Sequence, residues 1–111
     1  MIAAIKTYIT ELNKQYSTNV AHEHAYRGIL QNLLSVILSK GYTIVNEPTR
    51  EECSAPDYII LKGSIPIAYV EAKDLFDRDL DGRKEHKEQF DRYKRSLDHI
   101  IFTNYLDFHL Y

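Results

Sequence analysis

The most constraining stretch of the sequence runs from Asp57 to Lys73. Two short apolar runs, Tyr58-Ile59-Ile60-Leu61 and Ile65-Pro66-Ile67-Ala68-Tyr69-Val70, are separated by Lys62, Gly63 and Ser64. Runs of this length, rich in β-branched and aromatic residues and split by a glycine-containing turn, predict a β-hairpin. Alternate side chains of a strand point to opposite faces, so Glu71 and Lys73 leave the second strand on the same face. With Gly63-Ser64-Ile65 as the connection, Lys62 faces Pro66, and counting outwards sets Asp57 directly opposite Glu71. Opposed residues of an antiparallel pair have Cβ atoms about 4.5–5.5 Å apart. Two carboxylates then converge with a lysine beside them, an arrangement that a one-residue change of register would undo.

The rest of the chain predicts what packs on this hairpin. Residues 2 to about 16 have a helical period, with Ile2, Ile5, Ile9 and Leu12 on one stripe, and Ser17-Thr18-Asn19 breaks it. A second helix is predicted from about Ala21 to Lys40, ended by Gly41. It is apolar on most sides between Ile29 and Leu38, and therefore expected to be well buried. Tyr42–Val45 reads as a strand, Asn46–Pro56 as a loop, Asp57–Lys62 and Ile65–Lys73 as the hairpin, and Asp74–Gly82 as an acidic loop. A third helix follows from Arg83 to about Leu97, with Phe90, Tyr93 and Leu97 at core spacing, and then strands at His99–Thr103 and Leu106–Tyr111. The order α-α-β-β-β-α-β-β predicts an α/β fold in the broad sense, a mixed α+β sheet with helices packed on it.

With 111 residues the chain is expected to be a single domain over 1–111. The chain stops inside a strand pattern, so we expect an N-terminal fragment of a longer polypeptide. No apolar stretch approaches the length needed to span a bilayer, and no membrane role is expected. Cys53 is the single cysteine. One thiol makes no internal disulfide and no cysteine-rich zinc site, which points to a cytoplasmic setting. Fourteen Lys and Arg against 16 Asp and Glu give a formal net charge of -2. That argues against a stand-alone domain held on nucleic acid by bulk charge, while leaving room for a local phosphodiester site.

Two carboxylates pressed together repel, and a divalent cation relieves the repulsion. Hard cations such as Mg²⁺ take one or two carboxylates, keep several waters and accept phosphate oxygens. A lysine beside such an ion can position or deprotonate a water, or stabilise charge on phosphate. The alternative for Glu71 and Lys73 is a solvated, inert pair at a strand end. Pro56-Asp57 followed by Glu71-Ala72-Lys73 on adjacent predicted strands resembles the signature of the PD-(D/E)XK nuclease superfamily. The element order matches over most of the chain. The resemblance implies a restriction-endonuclease-like core in which Asp57, Glu71 and the Ala72 carbonyl hold Mg²⁺, with Mn²⁺ as a substitute, and Lys73 serves the attacking water.

Two helical positions extend the comparison. Glu23 lies seven and eleven residues before Leu30 and Leu34, offsets that return to nearly the same side of a helix. Members of the superfamily often carry a helix glutamate near the metal; the alternative is a helix-start acid favoured by the helix dipole. Gln89 and Tyr93, four residues apart, resemble the Gln-x-x-x-Tyr element of the Mrr-like branch. The alternative is a core tyrosine with a glutamine at its rim. More narrowly, "EHAYRGILQNLL", "APDYIILKGSIPIAYVEAKDL" and "QFDRYKRSLDHIIFTNYLDFHLY" are similar to the N-terminal nuclease module of single-chain Type ISP restriction-modification enzymes. This implies double-stranded DNA as substrate, and a helicase-like ATPase, a methyltransferase and a target-recognition domain in the same polypeptide. The isolated domain is expected to be a monomer. A non-catalytic docking or assembly module and an RNA-cleaving member of the same fold remain as alternatives.

Other patterns carry less. His22 and His24 point about 200° apart on a helix. Arg83, Lys84, Lys87, Arg92, Lys94 and Arg95 are interleaved with acids, as on a solvated helix face that can also touch DNA phosphates. Asp77, Asp79 and Asp81 alternate as in a calcium loop but lack the EF-hand spacing that should follow.

Overall fold

The structure, a computed structural model, describes residues 1–18, 23–46 and 56–111, and for Glu23 and His24 the backbone alone. Cys53, His22 and most of the predicted 46–56 loop lie outside the described residues. The chain divides into two compact units, Met1–Tyr42 and Thr43–Tyr111.

The first unit is a pair of helices, α1 (Ile2–Ser17) and α2 (Glu23–Ile37). The end of α1 is chemically marked. The hydroxyl of Ser17 donates to the Asn13 carbonyl at 2.7 Å and that of Thr18 to the Gln15 carbonyl at 2.7 Å. The buried face of α1 keeps only Leu12 of the expected stripe. Tyr8 and Leu12 are buried, whereas Ile2, Ile5 and Ile9 are 72%, 46% and 41% exposed. The small side chains of Ala3 and Ala4 line the groove between the two helices beside Tyr8 and opposite Ile29 and Leu33. The packed face is therefore rotated from the stripe towards Ala4 and Tyr8. In α2, Tyr26, Leu30 and Leu34 form a buried stripe at four-residue spacing, and Val36 and Ile37 are exposed. The expected all-round burial is thus replaced by an ordinary amphipathic face. α2 also stops short of Lys40. A turn closed by the Tyr42 N–H on the Ser39 carbonyl at 3.1 Å intervenes, with Gly41 at φ 95.

The second unit carries a five-stranded mixed sheet in the order β1-β2-β3-β4-β5. Its strands are β1 (Tyr42–Asn46), β2 (Tyr58–Lys62), β3 (Ile65–Ala72), β4 (Ile100–Thr103) and β5 (Phe108–Leu110), with the helix α3 (Lys87–Ser96) between β3 and β4. β2 and β3 are antiparallel, β3 and β4 parallel, β4 and β5 antiparallel. A parallel pair needs a crossover, which α3 provides. α3 covers the sheet through Phe90 and Tyr93, which cluster with Leu80, Ile100 and Phe102. Phe90 stacks on Phe102 with ring centroids 3.5 Å apart and an interplanar angle of 4°.

α3 starts four residues later than its sequence pattern predicts, and Asp79 is the reason. Its carboxylate accepts the backbone N–H groups of Arg83, Lys84 and His86 at 2.8–3.2 Å, holding the segment before His86 in a different course. Burial opposes ionisation of Asp79, but these three N–H groups outweigh it and hold its carboxyl below the usual carboxylate range. Gly82, at φ 67, completes this loop. A Cβ added there would lie 2.5 Å from the Cβ of Phe90. Among the described residues no helix is long and apolar enough to cross a membrane.

Candidate active site

The hairpin reaches the expected pairing by an unexpected route. Its turn is the two residues Gly63-Ser64, so Lys62 faces Ile65 and Leu61 faces Pro66. A bulge between Ile60 and Leu61 then shifts the register, and Ile60 faces Ala68, Ile59 faces Tyr69 and Tyr58 faces Val70. One residue fewer in the turn is offset by one extra residue, Ile67, in β3. Continuing the outer register by one step sets Asp57 against Glu71, as the three-residue connection predicts.

Asp57 precedes β2 and is 1% exposed; Glu71, near the end of β3, is 3% exposed. Asp57 Oδ2 accepts the N–H of Ala72 at 2.8 Å. This ties the carboxylate to the backbone between Glu71 and Lys73. The backbone of Lys73 is fixed from the other side, its N–H donating to the Thr103 carbonyl at 2.7 Å. Parallel pairing of Glu71 with Phe102 and Ala72 with Thr103 sets that bond. The end of β3 is thus held by β4 and by Asp57 together.

The Lys73 ammonium lies 3.3 Å from Glu71 Oε2, with the two side chains 16% and 4% exposed. It also donates to Gln89 Oε1 on α3, and it stands 5.7 Å from the centroid of the Phe90 ring. That distance is within the range in which an aromatic face attracts a cation. An acid, an amide and a ring hold one amine from three sides. Tyr93, one turn after Gln89, is 1% exposed within the core cluster. The two residues divide the roles: Gln89 reaches the lysine and Tyr93 packs against the sheet.

Asp57, Glu71, Ala72, Lys73 and Gln89 therefore lie in one constellation. Glu23 is the first residue of α2 in the other unit; its side chain lies outside the described residues. Phe90 and Thr103 belong to the surroundings of Lys73 and escape sequence reasoning. Phe90 shows there only as a core aromatic, and the β3–β4 pairing that recruits Thr103 has no local signature.

The donor set formed by Asp57, Glu71 and the Ala72 carbonyl is all oxygen, the chemistry that a hard divalent cation takes and a soft one does not. Both carboxylates are buried, and Glu71 Oε2 lies 3.3 Å from the Lys73 ammonium. These residues fit Mg²⁺ or Mn²⁺.

A second group, Asp77, Glu85 and His86, has ligand-type atoms within 4.8 Å of one another. His86 Nε2 is 2.6 Å from Asp77 Oδ2 and 3.6 Å from Glu85 Oε1, which makes an internal polar cluster. The three alternating aspartates part company: Asp77 turns to His86, Asp79 to backbone N–H groups, and Asp81 to His109 and Tyr111. Comparison of the chain with protein-family models, with curated proteins and with solved structures finds no match.

Proposed function

We propose that this chain is a metal-dependent nuclease domain that hydrolyses DNA phosphodiester bonds, with a restriction-endonuclease-like core in the order α-α-β-β-β-α-β-β. The observation that carries the proposal is the pair of buried carboxylates, Asp57 and Glu71, with Lys73 held between Glu71 and Gln89. A buried ion pair adds little net stability over well-packed apolar residues. Three ionisable groups retained in one buried corner are better accounted for by chemistry than by folding.

Asp57, Glu71 and the Ala72 carbonyl would hold Mg²⁺, or Mn²⁺ in its place. When bound, the ion supplies Lewis-acid stabilisation of phosphate charge and a more acidic water. The Asp57–Ala72 bond keeps the first carboxylate in position without solvent. Lys73, bridged to Glu71 and Gln89, carries its proton at Nζ on the same face as Glu71. From there it orients a water or meets charge on the phosphate. Gln89 holds the lysine by accepting from its ammonium. The substrate is double-stranded DNA. The resemblance to Type ISP enzymes assigns DNA loading and sequence reading to a helicase-like ATPase, a methyltransferase and a target-recognition domain of the same polypeptide. The 111-residue chain is then a cytoplasmic monomer that binds duplex weakly, in keeping with its net charge of -2.

The test is cleavage of plasmid and of labelled duplex by the chain, and by a longer polypeptide where one exists, in Mg²⁺, Mn²⁺, Ca²⁺ and chelator. Asp57→Ala, Glu71→Ala and Lys73→Ala should each lower the rate by at least about 100-fold, the lower end for loss of a group acting on the transition state. Their circular dichroism should remain that of a folded chain. Chelator should abolish cleavage and Ca²⁺ should support it poorly. Full activity in Glu71→Ala, or cleavage undiminished in chelator, rejects the proposal. No cleavage of DNA with cleavage of RNA reassigns the substrate, and no cleavage of either favours a docking module.

A further inference from the structure

Asp77, Glu85 and His86 stand apart from the oxygen donors of the proposed nuclease site. Their ligand-type atoms lie within 4.8 Å of one another. His86 Nε2 is the shared point, 2.6 Å from Asp77 Oδ2 and 3.6 Å from Glu85 Oε1. An ordinary acid–histidine pair is complete with one carboxylate. Here the same ring nitrogen is met by two, one from each end of the 77–85 segment.

Two of the three donors are fixed by bonds from outside the group. The second oxygen of Asp77, Oδ1, accepts the Asp79 N–H at 2.9 Å, and the Asp77 carbonyl accepts Asn104 Nδ2 at 2.7 Å. The backbone N–H of His86 donates to Asp79 Oδ2 at 2.8 Å. Its imidazole stacks on Phe90, with ring centroids 5.4 Å apart and planes 21° from parallel. Partners of this kind set the direction in which a metal ligand points. Glu85 is the adjustable member, its side chain 71% exposed. Asp77 and Glu85 border a cleft of about 610 Å³, so an ion has a way in and water has room beside it.

The donor chemistry differs from that of Asp57 and Glu71. One imidazole nitrogen with two carboxylates suits Zn²⁺, whereas Mg²⁺ takes oxygen. Zinc bonds of about 2.0–2.2 Å put tetrahedral ligand atoms about 3.4 Å apart. The separations of 2.6 and 3.6 Å straddle that value. An ion replaces the hydrogen that now joins His86 to Asp77, and those two atoms part by less than about 1 Å.

We propose that Asp77, Glu85 and His86 form a zinc site, with a water completing the tetrahedron. The ion clamps the loop that follows Lys73 to the residue that precedes α3, the helix that carries Gln89. The clamp and the lysine meet on one ring: His86 and Lys73 Nζ lie 5.4 and 5.7 Å from the centroid of Phe90. The inference goes beyond the nuclease function and does not rest on it.

The experiment titrates Zn²⁺ into the metal-free 111-residue chain by calorimetry, in excess Mg²⁺ to compete at oxygen-only sites. The wild type should bind a single zinc ion, and its melting temperature should rise, because the ion binds the folded chain. Glu85→Gln removes one ligand from an exposed position. His86→Phe removes the nitrogen and keeps a ring on Phe90. Each should weaken zinc binding by at least about 10-fold. Glu85→Gln should melt as wild type does without metal, so its loss of affinity is not a loss of fold. Cys53→Ser and Glu71→Ala should bind zinc as wild type does. The inference is overturned if the wild type shows no saturable binding, or if Glu85→Gln and His86→Phe keep full affinity. Affinity lost instead in Cys53→Ser or Glu71→Ala overturns it too, by placing the ion elsewhere. Zinc bound without a rise in melting temperature overturns the clamp. None of these readouts requires DNA cleavage, so the two proposals stand or fall separately.

Discussion

Replacing Lys73 by Met removes the ammonium and keeps most of the stem, so it isolates the charge. Glu71 is 3% exposed, and its carboxylate meets the ammonium at 3.3 Å. At an effective dielectric of about 20, Coulomb's law gives about 5 kcal/mol for unit charges at that distance. Glu71 remains buried after the substitution, so little of this loss is recovered by hydration. Breaking a buried pair from one side typically costs about 3–5 kcal/mol. Gln89 also loses its donor, at about 1 kcal/mol for an ordinary hydrogen bond. Lys73→Met should therefore lower unfolding stability by about 3–5 kcal/mol, much of what a domain of this size possesses. Glu71→Gln/Lys73→Met removes both charges at similar volume and should recover most of that, giving a coupling of at least about 2 kcal/mol. Urea denaturation in chelator, for wild type, both single variants and the double, measures the cycle. A Lys73→Met cost below about 1 kcal/mol, or additive single costs, would show that the two side chains do not form this pair in solution.

Three further outcomes follow from the surroundings of the site. Gly82→Ala sets a Cβ against Phe90 and forces an L side chain to φ 67; it should destabilise by at least about 1–2 kcal/mol from the backbone alone, measured by urea denaturation. It should also lower any cleavage rate, because Phe90 underlies Lys73. Asp79→Ala should leave α3 in place but speed hydrogen exchange at the amides of Arg83, Lys84 and His86, read by NMR; unchanged exchange would mean that the carboxylate does not hold them. Tyr111 is raised to about 12, first by burial and then by its hydrogen bond to Asp81. A raised value means that the phenol contributes stability below its unfolded value of about 10, which is lost as pH climbs towards about 12. Tyr111→Phe should flatten that alkaline decline, and an unchanged slope would refute the assignment. Some slope should persist in the variant, since burial also raises Tyr8.

Element types were legible because each follows from local pattern. The apolar run Ile65–Val70 and the Gly63 turn are readable within a short window. Which face a helix buries was not. Of the expected stripe Ile2, Ile5, Ile9 and Leu12, only Leu12 is buried, and Tyr8 is buried with it, because the small Ala4 lets a neighbour approach on that side. The start of α3 was misjudged because a side chain, Asp79, takes the backbone donors of Arg83, Lys84 and His86, and sequence periodicity does not register that competition. In the site, the proximity of Asp57 and Glu71 was readable from counting, although the count succeeded through two offsetting departures, a shorter turn and a bulge. The link from Lys73 to Gln89 was visible only through family resemblance. Its anchoring on Thr103 was not visible, since parallel strand pairing is fixed by tertiary structure.

The bonds that hold this constellation join distant parts of the chain. Asp57 and Ala72 close the β2–β3 hairpin itself, whereas Lys73 and Gln89 are 16 residues apart and Thr103 lies thirty residues beyond Lys73. Such contacts close long loops, and their entropy cost delays them relative to local hairpins and helices. A growing chain that has emerged only as far as Lys73 has both carboxylates and the lysine. It still lacks the amide that directs the lysine and the strand that fixes the lysine's backbone. Competence should therefore appear abruptly, when β4 docks, rather than accumulate with length. Should the proposed cleavage of DNA hold, this ordering would leave unfinished chains inert.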